Sequence, residues 1–176
     1  PTFIPLVESV QDKLDTVKTI IIASSKDVIP ENNLKDALSY DELIKDESDE
    51  YDWPELNEDD AVALCYTSGT TGNPKGVLYS HRSTILHAIS VSGAMGFDSS
   101  SSVLPVVPMF HVNAWGVPYC ALITGITLVL PCHALDGESL YELVKQESVD
   151  SMLGVPTVWL GLLQYLEEKG LKLDTV

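Results

Sequence analysis

Ala61-Val62-Ala63-Leu64-Cys65-Tyr66 runs directly into Thr67-Ser68-Gly69-Thr70-Thr71-Gly72-Asn73-Pro74-Lys75-Gly76-Val77, an apolar segment followed by a loop of hydroxyls, glycines and a single lysine. The first part is short and partly β-branched and reads as a buried strand, while from about Ser80 onward the apolar residues take helical spacing. The loop is therefore expected to join a strand to a helix. At such a junction backbone N–H groups and the positive end of the helix dipole converge on an anion, and glycines allow the chain to approach oxygen atoms without a Cβ in the way. Ser68, Thr70 and Thr71 add hydroxyl donors. Lys75 brings a compact positive charge on a flexible stem, suited to a phosphate that moves during a reaction, and Pro74 removes one free φ angle before it. A plain Gly/Thr surface turn is the competing reading. The length of the run and its place after a strand favour a polyphosphate site.

Outward from this stretch, strands alternate with helices. Strands are expected over 61–67, 103–107, 127–130 and 151–153, and helices over 81–92, 114–123, 137–147 and 157–169. That alternation implies crossover units and an α/β fold with a mainly parallel sheet flanked by helices. Asp136 and Thr157 are expected as N-caps or first-turn residues, and Gly170 as the glycine that ends the last helix. Earlier in the chain, residues 17–23 read as a strand, and Leu34, Leu38, Leu43 and Ile44 suggest short helical segments. In open parallel sheets, ligands bind beyond the carboxyl ends of the strands. The loop, residues 109–115 and residues 154–156 each follow a strand, so the three can line one crevice.

The chain has 176 residues and a formal charge of −16, from 10 basic and 26 acidic side chains. One domain's worth of core is available, and nucleic acid or an anionic membrane surface would be repelled. Much of the charge is local: between Asp41 and Asp60 there are eleven acidic residues against Lys45 alone, which reads as a solvated connecting loop. From Ala61 to Leu135 the only charged side chains are Lys75, Arg82 and Asp98. A span so poor in charge reads as the interior of a larger protein, where an ionised group persists if paired or functional. Lys75 is then a candidate for ligand contact and Arg82 for pairing. The organisation expected is 1–60 as strand, short helices and acidic loop, and 61–176 as the α/β segment that carries the site. Cys65, Cys120 and Cys132 have neither zinc nor disulfide-framework spacing and read as buried reduced thiols. No signal peptide or membrane span is read, so a cytoplasmic protein is expected. Self-association, including a homodimer, is left open.

The ordinary P-loop spacing is absent, because Gly69 and Gly72 are three apart and Lys75 is followed by Gly76, not by a hydroxyl. The run 66–77 instead resembles the phosphate loop of the adenylate-forming superfamily, which includes acyl-CoA synthetases, luciferases and peptide-synthetase adenylation domains. Pro108-Met109-Phe110-His111-Val112-Asn113-Ala114-Trp115-Gly116 resembles the family's aromatic/histidine substrate motif, and Gly154-Val155-Pro156-Thr157-Val158-Trp159 a third block. Both are most similar to the medium- and long-chain fatty acyl-CoA synthetase forms. The resemblance covers about 61–170 and implies part of an acetyl-CoA synthetase-like large domain, with the family's C-terminal domain absent from this sequence.

What the resemblance implies is ATP-dependent conversion of a fatty acid to an acyl adenylate, then to acyl-CoA, with ATP, Mg²⁺ and CoA as participants. Ser68, Gly69, Thr70, Thr71, Gly72 and Lys75 would hold the β and γ phosphates, where departing pyrophosphate accumulates charge. His111 would lie near the carboxylate and α-phosphate. Trp115, with Val112, Ala114, Val117, Gly154 and Pro156, could wall an apolar channel; core packing is the alternative for Trp115. His81, His87 and His133 are expected in structural or surface roles. Magnesium, ribose and adenine ligands are expected outside this sequence, so the fragment alone should be inactive. The alternatives are a ligase for aryl, short-chain or amino acids, a non-catalytic nucleotide-binding module, and a phosphotransferase.

Overall fold

The structure is a computed structural model that describes residues 2–67 and 72–174. Two compact units divide it, Pro1–Pro54 and Glu55–Val176.

In the first unit, α1 (Ile4–Val10) precedes a parallel pair, β1 (Ile20–Ile22) with β2 (Ala37–Ser39), and β2 runs into α2 (Tyr40–Ile44). The strand expected over 17–23 is therefore shorter. Leu38 lies in β2 and not in a helix, while Leu43 and Ile44 are helical as expected. The Ser39 hydroxyl donates to the carbonyl of Ser24 at 2.8 Å and ties the end of β2 back to the chain after β1. The acidic stretch beyond α2 is exposed.

The second unit runs β3 (Ala61–Thr67), β4 (Lys75–Ser80), α3 (His81–Met95), β5 (Ser102–Val106), the four-residue turn α4 (Val112–Trp115), α5 (Val117–Thr124), β6 (Thr127–Leu128), α6 (Gly137–Gln146), β7 (Ser151–Gly154) and α7 (Pro156–Lys169). β5 pairs in parallel with both β6 and β7, and every residue of β5 is buried. A strand covered on both faces reads as a continuous apolar run, which is why Val103-Leu104-Pro105-Val106 shows no polar alternation. Period two sends neighbouring side chains to opposite faces. Val103 accordingly joins Ala88, Phe97, Val117 and Cys120 on one face, while Leu104 and Val106 join Leu140, Val144, Leu162 and Leu166 on the other. Each fully buried leucine contributes about 1.5–3 kcal/mol by leaving water. The α/β class and the parallel sheet flanked by helices follow from these contacts.

One expectation fails here. The loop does not join a strand to a helix: it closes an antiparallel hairpin, with Thr67 opposite Lys75 and Cys65 opposite Val77. Residues 75–80 form a strand because Val77, Leu78 and Tyr79 follow one another without helical spacing, and Gly76 lets the side chains of Leu64 and Tyr66 pass closely. The helix begins where Ser80 can cap it. Ser80 Oγ accepts from the Ser83 amide at 3.1 Å, and Ser83 Oγ accepts in turn from the Ser80 amide at 3.0 Å. Cys132 also departs from expectation, being exposed where Cys65 and Cys120 are buried free thiols.

Caps at the far end of the sheet follow the sequence more closely. Asp136 accepts from the Ser139 amide at 3.0 Å as the N-cap of α6. Thr157 sits in the first turn of α7 behind Pro156, with Val155 at the cap position, and Gly170 ends that helix at φ +65°.

Candidate functional site

The glycine loop connects the two strands of the hairpin between Thr67 and Lys75. Lys75, the first residue of β4, is exposed, and an added Cβ on Gly72 would meet no atom within 4 Å, so both face open space. Ser68, Gly69, Thr70 and Thr71 lie outside the described residues. The N-terminus of α3 is not the anion-binding partner expected for this loop. Its first amides are already taken: His81 N–H donates to the Asp60 carbonyl at 3.1 Å, Arg82 N–H to the Glu58 carbonyl at 2.8 Å, and Ser83 N–H to Ser80 Oγ. Arg82 is paired as expected, with the Glu58 carboxylate at 2.8 Å. The expected contribution of the α3 N-terminus to an anion site is therefore absent, which leaves Lys75 and Gly72 as the described residues of that expectation.

The second block hangs from the carboxyl end of β5. Phe110 is 82 % exposed and Met109 45 %, beside an exposed His111. The chain then turns left-handed: φ is +48° at Val112, +49° at Asn113, +48° at Ala114, +56° at Trp115 and +80° at Gly116. A left-handed turn of L-residues costs about 1–2 kcal/mol per residue, and a β-branched residue at positive φ is rare. The turn is held from outside. His87 Nε2 lies 3.1 Å from the Trp115 carbonyl, so the nitrogen carries its proton and donates. Asn113 Nδ2 donates to Tyr119 Oη at 3.0 Å, and the Cys65 thiol points at Asn113 Oδ1 at 3.5 Å.

Register brings the third block to the same edge. Val106 lies opposite Gly154 in the β5–β7 pair, so residues 108–116 and 155–156 leave adjacent strand ends. Gly154 is packed tightly, since a Cβ there would sit 2.7 Å from Trp159 Cζ2. Ala114 and Val117 are fully buried.

Behind the turn lies a cavity of about 170 Å³ lined by Tyr79, Thr84, His87, Val112, Asn113 and Tyr119, together with Ser83 and Gly116. Trp115, Gly154 and Pro156 are not among its lining residues, although Trp115 is tied to it through His87. The sequence reading gives His87 a structural or surface role, names Asn113 only as part of the 108–116 block, and assigns nothing to Tyr79, Thr84 or Tyr119. A usable signal was there: Ser83, Thr84 and His87 recur at helical spacing and put a semi-polar stripe on one side of α3.

Residues 2–175 match the family described as AMP-binding enzyme. The chain belongs to the AMP-binding enzyme family. Among curated relatives of this AMP-binding segment, the 3-methylmercaptopropionyl-CoA ligase of Ruegeria pomeroyi is 46 % identical, over 99 % of this chain and 33 % of its own length. The medium-chain-fatty-acid–CoA ligase of Ectopseudomonas oleovorans is 47 % identical, over 92 % of this chain and 30 % of its own. The chain thus spans about a third of the length of these relatives. The N-terminal domain of FACL13 from Mycobacterium tuberculosis, solved with an inhibitor, superposes with a TM-score of 0.71 at 25 % identity, over 96 % of this chain and 40 % of that one. Its adenylate-forming fold is the fold of this segment.

Among the described residues no three His, Cys, Asp or Glu side chains gather as a metal cage. No helix among them is long and apolar enough to cross a membrane.

Proposed function

We propose that this AMP-binding segment works in an acyl-CoA ligase that activates a fatty acid with ATP and passes the acyl group to CoA. The observation that carries the reading is the contact between Cys65 on β3 and Asn113 beside His111, which ties the phosphate-loop hairpin to the acid motif. A carboxylate resists nucleophilic attack because resonance and charge protect its carbon. Transfer of AMP makes a mixed anhydride and turns one carboxylate oxygen into a leaving group, with pyrophosphate released. Lys75, Gly72 and the hydroxyls of Ser68, Thr70 and Thr71 hold the β and γ phosphates, with Gly69 giving close approach. His111 orients the acid by hydrogen bonding. CoA thiol then attacks the adenylate carbonyl and AMP leaves.

The apolar tail of the acid enters the cavity behind the left-handed turn. A dry cavity of about 150 Å³ accepts benzene, so this one takes roughly six heavy atoms before the tail must bend or emerge. Trp115 adjoins that cavity through the bond from His87 to its carbonyl, and Gly154 and Pro156 lie at the neighbouring strand end. Each buried methylene adds about 0.8 kcal/mol, so affinity rises with chain length until the cavity is full. The short acid in the name of the Ruegeria pomeroyi relative keeps a second reading in play, an acid of a few carbons in place of a fatty acid.

Incubating the full-length protein with ATP, CoA and a mixed pool of acids, followed by mass spectrometry, tests both. AMP with a medium-chain acyl-CoA supports the first reading and AMP with a short-chain acyl-CoA the second. ADP, or no turnover, removes them.

A further inference from the structure

Four side-chain-bearing residues in succession, Val112 to Trp115, hold positive φ, and only one of them is of a type that tolerates it well. Asparagine is several-fold enriched in the left-handed region, because its short polar side chain can bond locally, whereas valine, alanine and tryptophan are not. Asn113 also makes side-chain hydrogen bonds to two other elements. Its Nδ2 donates to Tyr119 Oη on α5 at 3.0 Å, and its Oδ1 faces the buried Cys65 thiol of β3 at 3.5 Å. A thiol is a weak donor and an amide N–H₂ cannot accept from it, so the Cys65 contact fixes which way the amide points.

We propose that Asn113 is a positioning residue for the acid site, setting the handedness of the turn that aims His111 and Trp115 and fixing that turn to the hairpin that carries the phosphate loop. The inference rests on the acyl-CoA ligase reading. Two separable properties are at work. The backbone needs a residue at ease at φ +49°, ψ +48°, and the side chain needs an amide that accepts from Cys65 while donating to Tyr119. Reversal of the turn to right-handed dihedrals would swing the side chains on either side of Asn113 away from the strand end that carries them. The phosphate loop, beyond Cys65 on its own hairpin, would stay where it is. Loss of Asn113 therefore has to appear in the parameters for the acid and not in those for ATP.

The experiment compares steady-state AMP release by the full-length protein and its variants, varying acid and ATP separately and recording melting temperature alongside. N113A is expected to lower kcat/KM for the acid at least tenfold and to leave KM for ATP within twofold. N113G regains the backbone freedom without the bonds and should recover part of that loss. Y119F and C65A each remove one partner and should raise KM for the acid by a few-fold, whereas C65S, which keeps a donor, should not. If N113A fails to fold, N113G and Y119F decide the matter by the same split between acid and ATP. Acid kinetics unchanged in N113A, or acid and ATP parameters falling together with melting temperature in every variant, would overturn the positioning role. A wild-type protein that releases no AMP in response to any acid would instead overturn the ligase reading, and the positioning role with it.

Discussion

His87 holds Trp115 and crowds Gly116 at the same time: its Nε2 donates to the Trp115 carbonyl at 3.1 Å, and its Cδ2 lies 2.6 Å from where a Cβ on Gly116 would stand. Gly116 also sits at φ +80°. Gly116→Ala is therefore expected to destabilise by about 2–4 kcal/mol, from left-handed strain plus overpacking. Urea denaturation of Gly116→Ala and of Gly116→Ala/His87→Ala separates the two. The double variant should recover the overpacking part and keep the backbone part; a single variant as stable as wild type would show that the close approach is not real.

A second tight contact supports the adjacent strand end. Trp159 lies against Gly154 so closely that Gly154→Ala places its methyl 2.7 Å from the indole, and a loss of about 1–3 kcal/mol is expected. Replacing Trp159 by leucine in the Gly154→Ala background should recover part of it in a thermal melt. Simple additivity of the two substitutions would argue that they do not touch.

Charge at the cap of α6 gives a pH dependence. Hydrogen bonds from the Ser139 amide and hydroxyl hold the Asp136 carboxyl below the ordinary aspartate range. A depressed folded value means that the stabilisation is fully present above the unfolded pKa, about 3.9, and is lost as pH falls through the lower folded value. Asp136→Asn keeps a capping oxygen without the charge. Its melting temperature should therefore fall less than that of wild type on acidification from pH 5 to pH 2, and parallel curves would contradict the assignment.

Lys75 is exposed on the first residue of β4 and has no salt-bridge partner among the described residues, so its removal should spare the fold. Lys75→Ala in the full-length protein is expected to reduce kcat by about 10–1000-fold, in the range of losing one electrostatic stabiliser, with a melting temperature within a degree or two of wild type. Lys75→Arg should restore only part of the activity, because a planar guanidinium does not replace a point charge on a moving phosphate. Wild-type rates in Lys75→Ala would take the lysine out of the site.

Periodicity made the α/β alternation legible because the sheet is buried on both faces and its helices end in ordinary signals, with Asp136 at one cap and Gly170 at another. β4 was missed because the glycine motif runs unbroken into it, so Lys75-Gly76-Val77 read as loop when register with Thr67 and Cys65 makes it strand. The left-handed turn was read as the start of a helix for a related reason. Val112 to Trp115 carry no glycine to announce positive φ, and what holds them, His87, Tyr119 and Cys65, is distant or on other elements. Blocks of residue types pointed to the acid motif; tertiary contacts decided its shape.

Exchange of labelled pyrophosphate into ATP by the full-length protein, in the absence of CoA, tests adenylate formation most directly. The proposed function predicts exchange that requires the acid, rises with chain length up to the capacity of the cavity beside Val112, and falls in Lys75→Ala by the same factor as kcat. Exchange that ignores the acid, or hydrolysis of ATP to ADP with no exchange at all, would contradict it.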